Sequence, residues 1–155
     1  ANAGLVEALG LEGPFAQDNW SFSRRRGTLR GMHFSRRPAA QGKLVRVTRG
    51  AILDVAVDVR AGSPTFARHV AVELTADRLE MVWVPEGFAH GFVTLEDATE
   101  VTFKVSHPYV PALEVGIRFD DPALGIDWGL PPDEMTVSER DRHQSNLSEV
   151  APFAT

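Results

Sequence analysis

The stretch KLVRVTRGAILDVAVDVR, Lys43 to Arg60, decides how this chain folds. Its first half alternates, with Lys43, Val45 and Val47 on one face and Leu44, Arg46 and Thr48 on the other. Beyond Gly50 the alternation resumes, Leu53, Val55, Val57 and Val59 facing one way and Asp54 and Asp58 the other. A period of two belongs to extended chain, because a helix repeats every ~3.6 residues. The pattern continues in ARHVAVEL (67–74), EMVWVPE (80–86), GFVTL (91–95) and EVTFKVSH (100–107). Breaks fall at Gly50, Gly62-Ser63-Pro64, Pro85-Glu86-Gly87 and Pro108. Short strands at such spacing predict an all-β antiparallel sandwich or barrel. Helix is confined to the ends. ANAGLVEALGLE (1–12) is helix-compatible but broken by Gly4 and Gly10, and TVSERDRHQ (136–144) suits a short helical turn. DPALGIDWGLPPDE (121–134) reads as loop.

At 155 residues, with no internal repeat, low-complexity segment or linker, residues 1–155 are expected to form one domain around a single core. The absence of cysteine excludes disulfides and thiolate metal sites. No apolar run approaches the ~18 residues of a membrane span, and no basic stretch leads into an apolar segment at the start, so a soluble cytoplasmic protein is expected. The chain begins at Ala1 rather than Met, which suggests a missing or processed upstream segment.

The net charge of −5 conceals an asymmetry. Nine of the sixteen basic residues lie between Arg24 and Arg49 (Arg24, Arg25, Arg26, Arg30, Arg36, Arg37, Lys43, Arg46 and Arg49), a window without Asp or Glu. One basic segment in an acidic protein suggests a local anion site, or equally a solvated face. The acidic remainder would repel a long polyanion, which argues against nucleic acid. Alternation directs Lys43 inward if Val45 and Val47 line the barrel, a surface lysine at the strand's start being the other reading. The same rule turns Val101, Phe103 and Val105 inward and Thr102 and Lys104 outward.

Five histidines are present, His33, His69, His90, His107 and His143. None has the close spacing of a metal-ligand set, so a metal site would need distant residues to meet. A histidine acting as base needs a carboxylate to orient it, and spacing does not select that partner from 21 acids. The residues by themselves thus support a small β-barrel with an anion-friendly segment and an inward lysine, without naming a reaction.

Taken in order, FAQDNWSFS, GTLRGMHF, AQGKLVRVTRGAILDVAVDVRAGSPTF, WVPEGFAHGF, RFDDPALGIDW and VSERD resemble the dTDP-4-dehydrorhamnose 3,5-epimerase family from about Phe15 to Arg142. The resemblance implies a cupin-type β-barrel or jelly roll with short helices at the ends. It further implies an isomerase that needs neither metal nor cofactor, a homodimer, and a dTDP-linked 4-keto-6-deoxy sugar as substrate. By motif position, His33 matches the base, Asp141 its carboxylate, and Lys43 the cation beside the C4 oxygen. Arg30 and His90 match contacts near the phosphates and the sugar, and Gln17, Asn19 and Glu114 match the nucleotide pocket. The diphosphate thus becomes the expected ligand of the basic segment.

Two departures follow. The family's proton-donating tyrosine falls on Phe103, which keeps the ring and lacks the acid. Tyr109, the only tyrosine, matches a second aromatic that stacks on thymine. The family's Asp-x-Arg-Gly-x-Phe pattern, which adds a strand and nucleotide contacts, has no counterpart before Gln17. Four functions are therefore open: an epimerase at C3, C5 or both; a non-catalytic dTDP-sugar binder; a ketoisomerase; and a metal-dependent cupin oxygenase.

Overall fold

A computed structural model of the chain describes residues 3–11 and 14–155, so Ala1, Asn2 and Glu12 of the predicted N-terminal helical segment lie outside it. Two largely antiparallel sheets face each other in a jelly-roll arrangement. The first contains β1 (Gln17–Ser23), β8 (Thr99–Val105), β3 (Lys43–Arg49) and β6 (Met81–Val84), in that spatial order. The second runs β10 (Thr136–Val137), β2 (Thr28–Ser35), β7 (Phe88–Thr94), β4 (Ala51–Asp58) and β5 (His69–Thr75), with β9 (Glu114–Gly116) also paired to β2. Helix is limited to α1 (Ala3–Ala8), α2 (Glu139–Arg142) and single turns.

Two apolar layers hold the sheets. Val45 and Val47 of β3, Val84 of β6 and Val101 of β8 meet Ile52, Leu74 and Phe92 of the second sheet, which makes the core between them. On the far side of the second sheet, Leu29, Met32, Phe34, Val55, Val57 and Val93 are covered by Ile117, Leu124, Trp128, Leu147 and Phe153 from the C-terminal third. Because both faces of the second sheet are covered, both faces of β4 are buried or nearly so. The β4 valines therefore serve the outer layer, while Ile52, Asp54 and Ala56 point between the sheets.

The register of β2 carries the site. Arg30 pairs with Phe92 and His33 with His90, so Gly31 and Met32 together stand against Gly91. Such a bulge, two residues against one, reverses the alternation beyond it. The backbones touch closely there: a Cβ on Gly31, at φ +122, would lie 2.6 Å from the Gly91 Cα. Only glycine fits at that crossing.

Candidate active site

The residues matched by motif all line one cavity of about 790 Å³: Gln17, Asn19, Arg30, His33, Lys43, His90, Phe103, Tyr109, Glu114 and Asp141. The volume falls within the few-hundred to thousand Å³ range of small-molecule pockets. Its two walls differ in chemistry. The second sheet contributes Arg30, His33 and His90, and the first contributes Gln17, Asn19, Ser21, Lys43 and Phe103.

His33 Nε2 lies 2.6 Å from Asp141 Oδ1. A carboxylate at that nitrogen holds the tautomer with the proton on Nε2 and the lone pair on Nδ1. Asp141 is fixed in turn by its surroundings. Ser138 caps α2 and accepts from the Asp141 amide at 3.1 Å, and the Gly31 amide donates to Asp141 Oδ2 at 3.2 Å. Burial by itself would push the Asp141 carboxyl up. The His33 hydrogen bond and charge and the Gly31 amide outweigh burial and hold it below the ordinary aspartate range.

A second pair lies beneath. His90 Nε2 is 2.7 Å from Asp54 Oδ1, and both side chains are buried. Lys43 is partly buried. Burial pushes its ammonium down to about 8, against an opposing attraction from Asp54. Phe103 packs against the core between the sheets while its ring faces the cavity. Phe103 thus faces inward as alternation predicts, and of the two readings open for Lys43 the structure takes the inward one.

At the mouth, a chain of hydrogen bonds crosses elements distant in sequence. Gln17 Nε2 donates to Asn19 Oδ1 at 2.8 Å, and the Tyr109 amide donates to Gln17 Oε1 at 3.0 Å. The Tyr109 hydroxyl donates to Glu114 Oε2 at 3.0 Å, and Arg140 donates to the same oxygen. Tyr109 remains 42% exposed, which leaves ring surface available to a ligand.

The basic segment divides. Of its nine cations only Arg30 and Lys43 line the cavity. Arg36 donates to the Ala151 and Pro152 carbonyls, Arg37 lies over the Phe153 ring, and Arg26 pairs with Glu134 at 2.6 Å. Arg46 is on the outer face of the first sheet. Charge density in the sequence therefore overstates the anion site, since half a strand's side chains face away and others tie down the C-terminus.

Arg140, Ser21 and Asp54 were missed. Ser21 follows Gln17 and Asn19 at a period of two, and its buried hydroxyl has no partner among the described residues. Arg140 adjoins Asp141 and gave no signal of its own. Asp54 alternates with the β4 valines, but only the second apolar layer reveals which face is the cavity side. Among the described residues no three His, Asp or Glu converge as a metal site would require.

A family model described as dTDP-4-dehydrorhamnose 3,5-epimerase matches residues 2–149. A protein of that name from Sinorhizobium fredii is 51% identical over 136 residues, which span 86% of this chain and 68% of the relative. One from Methanothermobacter thermautotrophicus is 46% identical over 149 residues, or 96% of this chain and 80% of the relative. A crystal structure of the dTDP-6-deoxy-D-glucose-3,5-epimerase from Legionella pneumophila in complex with dTDP-4-keto-L-rhamnose superposes with a TM-score of 0.92 at 39% identity, covering 100% of this chain and 84% of that one.

Proposed function

Because the chain belongs to the dTDP-4-dehydrorhamnose 3,5-epimerase family, we propose that it inverts carbons flanking the ketone of a dTDP-linked 4-keto-6-deoxyglucose. It is an isomerase of the deoxysugar-forming kind. The observation that carries the residue roles is the 2.6 Å His33–Asp141 pair, set in a cavity that the partly buried Lys43 also lines.

Protons on carbons beside a ketone are acidic because the electron pair left behind delocalises onto the carbonyl oxygen. His33 Nδ1 accepts such a proton, and Asp141 stabilises the imidazolium that results. Lys43 offsets the charge that develops on the oxygen, a preorganised electrostatic effect often worth about 3 kcal/mol. Arg30 and Arg140 supply the cations for a diphosphate, and His90 contacts the sugar. Tyr109 offers its ring to the thymine, while Gln17, Asn19 and Glu114 supply polar groups around the base. Ser21 contributes a further free hydroxyl.

Two copies of the chain are proposed to pair. The outer face of the first sheet supports this reading, for it presents Trp20 at 65% and Met81 at 51% exposure beside Leu44 and Trp83. Among the described residues no helix is long and apolar enough to cross a membrane. A cytoplasmic setting is part of the proposal.

The test is proton NMR of the dTDP-4-keto-6-deoxyglucose in D₂O with the protein. Loss of the C3 or C5 proton signals with new product resonances is expected, and His33→Ala should abolish both. Continued exchange in His33→Ala would dismiss His33 as the base. Tight dTDP binding with no exchange in the unaltered protein would replace the epimerase reading with that of a binding protein.

A further inference from the structure

Inversion requires a proton to arrive on the face of the sugar opposite the base, so the wall facing His33 must hold a donor. That wall is the first sheet. Its inward side chains toward the cavity are Gln17, Asn19 and Ser21 of β1, Phe103 of β8 and Lys43 of β3. Phe103 has no exchangeable proton. The amides and the hydroxyl are too weakly acidic to release one. Tyr109 is beyond the end of β8 at the mouth, and its hydroxyl is committed to Glu114.

From this facing of walls, and resting on the epimerase reading above, we infer that the ammonium of Lys43 delivers the proton to the reacting carbon on the face opposite His33. The register supports the reach. Lys43 pairs with Val105 and Val45 with Phe103, so Lys43 and Phe103 are diagonal neighbours on the same face. Diagonal neighbours across paired strands stand about 7–8 Å apart, within reach of a long side chain. The lysine therefore reaches over the position where the phenyl ring stands. Burial lowers its ammonium to about 8, which makes it a better acid than an exposed lysine while keeping it mostly charged at neutral pH.

The charged and titratable groups facing Lys43 come from several elements. Asp54 of β4 attracts it and also holds His90 of β7. His33 and Arg30 of β2 and Asp141 of α2 occupy the opposite wall. Glu114 and Arg140 pair with each other at the mouth.

The step balances. The C–H bond breaks to His33 Nδ1, and its electron pair forms the enolate double bond with the charge on the carbonyl oxygen. A Lys43 N–H bond then breaks, its proton forms the new C–H bond, and the enolate pair restores the ketone. One proton has passed from lysine to substrate and one from substrate to histidine. Water exchanges both back as the product leaves.

The test separates exchange from inversion with dTDP-4-keto-6-deoxyglucose in D₂O. Lys43→Arg keeps the cation, but a guanidinium does not release its proton. Exchange should persist while inversion falls by ~10²–10⁴-fold, the range for loss of a general acid. Adding Phe103→Tyr to Lys43→Arg returns a phenol to the same wall and should restore inversion. The unaltered protein provides an independent check that does not depend on any variant folding. Its inversion rate should fall about tenfold per pH unit above about 8, and the ratio of inversion to exchange should fall with it, because exchange loses only the charge of Lys43 at the carbonyl oxygen whereas inversion loses that charge and the proton donor. In Phe103→Tyr that decline should move up toward the ~10 of a phenol. Native-like inversion by Lys43→Arg, or a flat profile to pH 10, would overturn the assignment to Lys43 alone. No exchange in the unaltered protein would overturn the epimerase reading and this inference with it.

Discussion

Two histidine–aspartate pairs stand side by side on the inner face of the second sheet, where His33 and His90 are register partners. Their contact geometry is nearly the same, with Nε2 to Oδ1 at 2.6 Å for His33–Asp141 and 2.7 Å for His90–Asp54. Their surroundings differ. The His33 side chain is 22% exposed and the His90 side chain 7%. Asp141 reaches His33 from α2, across 108 positions of sequence, and receives the Gly31 amide as well. Asp54 comes from the strand next to His90 and also attracts Lys43. A base must meet its substrate, so access rather than hydrogen-bond length separates the two roles. On the proposed function, the first pair takes the proton, and the second holds the floor and the charge of its neighbour.

The sharpest way to break this distinction is Asp141→Asn. Losing the carboxylate that orients and stabilises the His33 imidazolium should reduce proton exchange by ~10²–10⁴-fold. The fold should survive, since an amide can still accept from the ring. Deuterium incorporation followed by NMR, beside a thermal unfolding curve, reads both effects. If Asp54→Asn stops exchange and Asp141→Asn does not, the roles of the two pairs are reversed.

Asp54→Asn should show the opposite balance. It replaces one partner of a buried pair, and a buried polar group left poorly satisfied costs about 1–3 kcal/mol. Chemical denaturation should show that loss, with exchange reduced less than tenfold. Removing the Asp54 charge also removes the attraction that opposes burial at Lys43, so its ammonium moves further down from about 8. The alkaline decline of inversion should shift to lower pH in this variant.

A smaller effect concerns acid. The Asp141 carboxyl is held below its unfolded value, so its contribution to stability is complete above about pH 4. It is lost as pH falls through the folded value. The difference in stability between the unaltered protein and Asp141→Asn should therefore narrow below about pH 4, and a constant difference down to pH 2 would contradict the ion-pair account. Smallest of all is the control pair on the surface. Arg118 and Asp120 meet at 2.8 Å with side chains 40% and 45% exposed, where water and salt screen them. Arg118→Ala should leave the melting temperature unchanged within error.

Parts of this arrangement were legible in the sequence, and the residues show why others were not. Alternation in β8 turned Phe103 inward and in β3 put Lys43 on the face of Val45 and Val47, because the direction of a side chain on a strand is a local property. The same rule fails in β2. Arg30 and His33 are three apart, which on a regular strand places them on opposite faces. The bulge at Gly31 and Met32 against Gly91 returns them to one. In β4 the valines face a second apolar layer supplied by Trp128, Leu147 and Phe153, and that layer puts Asp54 inside the cavity wall. Arg36 and Arg37, which read as anion-binding, are taken up by the chain's own C-terminal residues. Tyr109 matched a stacking aromatic by motif, but its ties to Gln17 and Glu114 join segments 92 and 5 positions away.

The sequence by itself determined the strand periodicity, the breaks that end each strand, the direction of Phe103, and the ordered motifs that carry the family. Tertiary structure decided which carboxylate meets which histidine, which face of β4 is the interior, which cations remain for a ligand, and that among the described residues Lys43 is the one ionisable group on the first-sheet wall opposite His33. The physical reason is range. Alternation and turn chemistry act between residues a few positions apart, whereas a hydrogen bond across 108 positions, or the facing of two walls, exists only once strand pairing and the covering layer have brought those segments together.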